Sequence, residues 1–235
     1  MDKQLQRHYE ALPREGGFAA RCAMEVPREA LFGARIVDVG CRRGKGCYKL
    51  SELVGPCGRV TGIDWRAPFV DEARAGVACA LERSRLPRSN MVFAVGYPEE
   101  LTRTVAPESA DFVYLNSSLS LFADPPRVLR ECRAVLVPGG KLLAECVVAD
   151  TDAGPAERAL VAHEARRLGN AVQAAPTRAD LLAWLVDAGF EAPVVRDGGV
   201  VAPDQGSAPG RFAPVVEGDA ACYRLIALEA ARPRL

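Results

Sequence analysis

Short apolar, β-branched runs that alternate with segments of helical periodicity constrain this chain more than any other feature. That alternation is the mark of a parallel α/β sheet. Residues 36–39 (Ile-Val-Asp-Val) form the first run and end at Gly40. Residues 45–53 carry apolar side chains at helical spacing and stop at Gly55-Pro56. Residues 60–63 make a second strand, ended by Asp64. One helix is predicted over 68–85, with Val70, Ala73, Val77 and Leu81 on one side and Pro87 beyond its end. Strands follow at 91–95 and 111–115, then a helix at 126–136 with proline in its first turn. Pro138-Gly139-Gly140 reads as a turn before a fifth strand at 142–149. Residues 151–177 read as a polar, Ala-rich insertion, and 178–188 as a helix closed by Gly189. A short strand at Val194-Val195, a Gly/Pro-rich loop over 197–218 and a last strand at 223–228 complete the chain. The expected fold is α/β, a doubly wound and mainly parallel sheet whose ligands bind outside the carboxyl ends of its strands.

Composition narrows the partners. Apolar residues make up 49% of the 235, enough for one sizeable core. Lys+Arg and Asp+Glu both number 30, so the basic excess typical of nucleic-acid binders is missing. The expected partner is a small-molecule substrate, with neither nucleic acid nor membrane involved. No apolar run is long enough to span a bilayer, and the polar start Met1-Asp2-Lys3-Gln4-Leu5-Gln6-Arg7 has no apolar signal core. A cytoplasmic location is expected. The eight cysteines include no Cys-x-x-Cys pair, and His8 and His163 are the only histidines. They predict free thiols, most of them packed as small hydrophobes, and no metal site.

Two positions point to a nucleotide-like ligand. The first strand runs into Gly40-Cys41-Arg42-Arg43-Gly44, and a glycine there lets the backbone turn sharply and approach a ligand. The helix that follows offers unpaired N–H groups. By itself this is also an ordinary tight strand–helix turn. Asp64 lies 24 residues after Gly40, where an acid accepts hydrogen bonds from ribose hydroxyls. It reads equally as a helix cap, and the pair does not separate one nucleoside cofactor from another.

Further segments make that distinction: Cys47-Tyr48-Lys49-Leu50-Ser51-Glu52-Leu53-Val54-Gly55, Gly96-Tyr97-Pro98-Glu99-Glu100-Leu101, and the run from Val128 to Pro138-Gly139-Gly140. With the loop and Asp64, they make the chain similar to class I S-adenosylmethionine (SAM) dependent methyltransferases. The narrower resemblance is to the arsenite methyltransferases and their relatives near the ubiquinone/menaquinone C-methyltransferases. It covers about residues 35–190. It implies the Rossmann-like class I methyltransferase fold and SAM as cofactor. By the same resemblance Asp38, Gly40, Cys41 and Gly44 surround the amino acid part of SAM, and Asp64 holds the ribose. Trp65 packs near ribose or adenine, Tyr97 and Pro98 line the adenine pocket, and Asn116 sits at the methionine end. Residues 1–30 become an N-terminal helical lid with Tyr9 over the cofactor. Residues 31–235 become the methyltransferase domain, with the insertion 151–177, including His163 and Glu164, lining the acceptor pocket. His8 reads as a general base at the site's mouth or as a solvent-exposed helix residue.

Two departures matter. The family's loop is Gly-x-Gly-x-Gly, and Arg42 stands at the middle glycine. Either its backbone is ordinary and its side chain points outward, or SAM binding is weakened, or Arg42 and Arg43 take an anionic group. The arsenite-methylating relatives hold trivalent arsenic with three cysteines. The matching positions carry Cys47, Ser117 and Arg167. Hydroxyl and guanidinium groups do not replace soft sulfur ligands. The expected activity is therefore methyl transfer to another small acceptor. A non-catalytic binding protein on this fold and an arsenite methyltransferase with altered thiols are the rivals.

Overall fold

The computed structural model describes residues 2–13, 31–205 and 214–234. Five parallel strands form one side of a seven-stranded sheet: β1 (Arg35–Val39), β2 (Arg59–Asp64), β3 (Met91–Val95), β4 (Ala110–Asn116) and β5 (Leu136–Asp150). The sheet order is β3-β2-β1-β4-β5-β7-β6. β7 (Cys222–Ala231) runs antiparallel to both β5 and β6 (Glu191–Val201). The chain winds outward from β1 to β3 and then returns to β4 on the other side. A crevice therefore opens at the carboxyl ends of β1 and β4, where ligands enter such sheets.

Helices cover both faces. Alternating strand side chains point to opposite faces, and two apolar clusters follow from that. Ile36, Val60 and Phe93 pack with Leu50 and Val54 of α2 (Lys45–Val54) and with α3 (Ala67–Ala75) and α4 (Val77–Ser84). Val37, Val39 and Leu115 pack with α1 (Lys3–Ala11), α5 (Pro125–Val135) and α7 (Arg178–Asp187). α6 (Pro155–Arg167) supplies the helical part of the predicted insertion.

Several expectations need correction. The single helix predicted over 68–85 is two helices that meet at Gly76. The Tyr48 hydroxyl donates to the Ala73 carbonyl at 2.7 Å, taking the acceptor that a continuous helix would offer to residue 77. The expected turn at Pro138-Gly139-Gly140 lies within β5, where the Gly139 N–H donates to the Arg232 carbonyl and the Arg232 N–H to that of Gly140. The short strand at Val194-Val195 is the eleven-residue β6, which takes in the first part of the predicted 197–218 loop. Gly198-Gly199 hid it, because the register shifts there as in a bulge. Cross-strand pairs Arg224–Asp197 and Lys141–Glu229 hold the polar side of this edge. The N-terminal lid is described only as α1 and its flanks: residues 14–30, with Cys22, lie outside the described residues, as do 206–213 of the loop.

A buried polar knot ties α6 to the last strands. Arg158, 6% exposed, donates to the Gln173 and Ala175 carbonyls and to the Tyr223 hydroxyl. The Gln173 side chain bonds Val216 and Asp219, and Asn170 reaches the Pro203 and Pro214 carbonyls. Among the described residues, no helix is long and apolar enough to cross a membrane, and no cluster of His, Cys, Asp and Glu could hold a metal ion.

Candidate functional site

The turn from β1 to α2 is held in an unusual backbone state. Gly40 and Gly44 have φ of 79° and 76°, where glycine carries no steric penalty. A β-carbon on Gly44 would stand 2.9 Å from Ala73 Cβ and 3.1 Å from the Phe93 ring. Arg42 also lies in the left-handed region, at φ 49°. The first option above, an ordinary backbone, is therefore overturned, and a side chain there costs of order 1–2 kcal/mol. Its N–H donates to Asp64 Oδ2 at 2.9 Å, and its guanidinium stands 5.6 Å from the Phe69 ring centroid. Arg43 and Arg66 converge on the same ring at 4.4 and 5.7 Å.

Asp64 ends β2 fully buried, its two oxygens receiving the Arg42 and Arg66 N–H groups. Burial raises its pKa against these hydrogen bonds. Each oxygen keeps further lone pairs for a diol. Beside it an aromatic stack closes one end of the crevice. The Tyr9 ring lies 4.5 Å from Trp65 and 5.4 Å from Tyr97, nearly parallel to the latter. Trp65 meets Phe122 edge-on at 6.1 Å. The Tyr9 hydroxyl donates to Glu99, whose buried carboxylate also receives the Ala123 and Asp124 N–H groups. A cavity of about 350 Å³ beside the stack is lined by Tyr9, Trp65, Arg66, Phe69 and Tyr97.

At the other end of the crevice the turn after β4 leans on the loop. A β-carbon on Gly40 would lie 3.1 Å from Ser118, whose hydroxyl donates to the Val39 carbonyl at 3.3 Å. Asn116 ends β4 opposite Glu145 of β5. Ser117, also at positive φ, is buried with no hydrogen-bond partner for its Oγ, and the Trp65 indole N–H is likewise buried and unmatched.

Asp38 and the thiols sit beneath the loop. The Cys47 thiol donates to Asp38 Oδ2 at 3.1 Å, and the sulfurs of Cys41 and Cys47 both approach Gly62. Burial lifts the Asp38 carboxyl to about 6 and holds the Cys47 thiol well above its ordinary value. Cys47, one of the candidates for substrate contact, is fully buried in the interface of α2 with the sheet, packed as expected of most of the thiols. Pro98 begins a short 3₁₀ turn after Tyr97 and has no N–H to offer a ligand.

His163 lies apart from this crevice, on the exposed side of α6, lining a groove between α6 and α1. His8 lines the same groove. It is half-buried, not solvent-exposed, with Nε2 2.9 Å from the Leu121 carbonyl. Reading the residues missed Glu99, although it stands within the quoted Gly-Tyr-Pro-Glu-Glu-Leu segment. The pair of acids Glu99-Glu100 between Pro98 and Leu101 was the available signal. Ser118, Phe122 and Arg166 gave none, since only the folded turn brings them to the crevice and the groove.

A family model described as a methyltransferase domain matches residues 32–189. The arsenite methyltransferase of Rattus norvegicus is 37% identical over 152 residues, which are 64% of this chain and 40% of that protein. The arsenite methyltransferase of Homo sapiens is 38% identical over 122 residues, 52% of this chain and 32% of that one. The chain thus spans less than half the length of these curated relatives. A crystal structure of an arsenic(III) S-adenosylmethionine methyltransferase from Chlamydomonas reinhardtii superposes with a TM-score of 0.73 at 23% identity, covering 97% of this chain and 73% of that one. With two thirds of its length matched by the family model and the fold shared with a solved relative, this chain belongs to the methyltransferase domain family.

Proposed function

We propose that this chain binds S-adenosylmethionine at the crevice of β1, β2 and β4 and transfers its methyl group to a small-molecule acceptor other than arsenite. The observation that carries this reading is Asp64, a buried carboxylate fixed by two backbone N–H groups beside a turn of positive φ. The residues fit the cofactor. Asp64 has lone pairs for a ribose diol, and the buried Trp65 N–H and Ser117 Oγ lack protein partners.

SAM supplies a methyl group already activated on a sulfonium, so the protein's task is alignment and exclusion of water. Asp64 would hold the ribose, with Trp65, Tyr97 and Pro98 around the base. Asp38, Gly40, Cys41 and Gly44 would shape the amino acid end together with Asn116. α1 serves as the cover: Tyr9 is clamped by Glu99 against the two flanking rings, which keeps water from the nucleoside end. The acceptor would approach past Ser117 and the turn after β4, with α6 of the insertion shaping its pocket. Ser117 and Arg167 offer trivalent arsenic no thiolate and Cys47 is sealed in the core, which supports an acceptor of another kind. The cytoplasm is the compartment assigned, where the seven thiols free among the described residues stay reduced.

Calorimetric titration with SAM and S-adenosylhomocysteine tests the reading. Binding of both is expected, weakened at least about tenfold in Asp64→Ala, the loss of a hydrogen bond to a charged group. Absence of binding to either would leave a non-catalytic protein on this fold.

A further inference from the structure

The groove on the far side of α1 from the aromatic stack encloses about 420 Å³ between α1, α6 and the start of α5. Its cations are Arg127, Arg166 and Arg167, joined by His8 and His163, and its acids are Asp2 and Asp124. Both acids are engaged in capping. Asp2 accepts the Gln4 N–H at 2.8 Å, with its other oxygen 3.9 Å from Arg127, and Asp124 accepts the Arg127 N–H at 3.0 Å. Arg167 is chelated by Glu164 of its own helix at 2.9 and 2.6 Å.

Arg166 stands differently. It is half-buried, its Nε donates to the Ser120 carbonyl at 2.9 Å, and no carboxylate pairs with it among the described residues. Burial and the charge of Arg158 hold its pKa below the ordinary value, yet a guanidinium keeps its proton, so its charge is left without a counter-ion. The neighbouring His8 gives its ring proton to a carbonyl, which only accepts, so its Nε2–H is spent.

We propose that this groove binds the phosphate or carboxylate group of a small molecule, with Arg166 as its anchor. A planar guanidinium held through its Nε–H matches either anion with its remaining N–H groups. The binding does not depend on methyl transfer, so its failure and that of the activity are separable.

The test is calorimetric titration of the full chain with inorganic phosphate and, separately, with citrate; the tighter probe identifies the anion class. S-adenosylhomocysteine is titrated in parallel, and the melting curve of each variant is recorded. The wild-type chain is expected to bind at least one probe. Arg166→Gln should weaken that binding about tenfold or more and Arg166→Lys much less, with the nucleoside affinity unchanged. If Arg166→Gln does not fold, Arg127→Gln at the groove's rim should weaken binding about threefold. Failure of both anions to bind, or equal affinity in the wild type and a folded variant, overturns the proposal.

Discussion

Asp38 shows how burial sets the chemistry of a single side chain. It lies wholly inside the interface of α2 with the sheet, with one thiol donor, and its carboxyl is lifted to about 6 by desolvation, which the Cys47 hydrogen bond only partly offsets. In the unfolded chain an aspartate titrates near ~3.9. The folded state therefore holds a proton that the unfolded state has lost between these values. The stabilisation is complete below about pH 4 and disappears as pH rises through about 6, a swing of up to about 3 kcal/mol. Asp64 and Glu99, also raised by burial, act in the same direction. Asp38→Asn keeps an oxygen for the Cys47 thiol and removes the titration. Urea unfolding at about pH 4.5 and about pH 7.5 should show a smaller stability difference in the variant and higher stability than wild type at the upper pH. An unchanged pH dependence would remove this role from Asp38.

At the scale of elements, local pattern made much of the core legible. The β-branched runs of β1 to β4 announce themselves because helices cover both faces of the sheet, and the apolar stripes of α2, α5 and α7 because each helix buries one side against it. β6 and β7 were shortened because Arg224, Glu229 and the Gly198-Gly199 bulge interrupt the pattern; pairing with the long β5 extends them. Of the site, the loop and Asp64 were legible because backbone geometry demands those residue types in sequence order. The clamp of Tyr9 by Glu99 was not, because it joins residues 90 positions apart. The same holds for the knot of Arg158, Asn170 and Gln173, whose partners lie up to 65 positions away. Gln173→Ala removes the acceptor of the Val216 N–H and leaves Asp219 without one of its donors. It should cost about 1–3 kcal/mol and speed hydrogen exchange at the Val216 amide, with β1 to β4 unaffected. Exchange at Val216 matching wild type would show that the knot does not hold this segment.

At the scale of the whole molecule, the winding of the sheet gathers the candidate residues. β1, β2 and β4 present Gly40, Asp64 and Asn116 at neighbouring carboxyl ends, and α1 folds back over them with the aromatic stack on one flank and the cationic groove on the other. The strain at Arg42 is local to this crevice, where such conformations concentrate when surrounding contacts over-determine them. A crystal structure of the chain with S-adenosylhomocysteine tests the assignment most directly. The account predicts ribose hydroxyls on Asp64, the homocysteine end over Gly40 with Ser118 displaced from it, and the Arg42 guanidinium still beside Phe69. A nucleoside bound elsewhere, or an Arg42 side chain lying across Gly40 with the crevice closed, would contradict it.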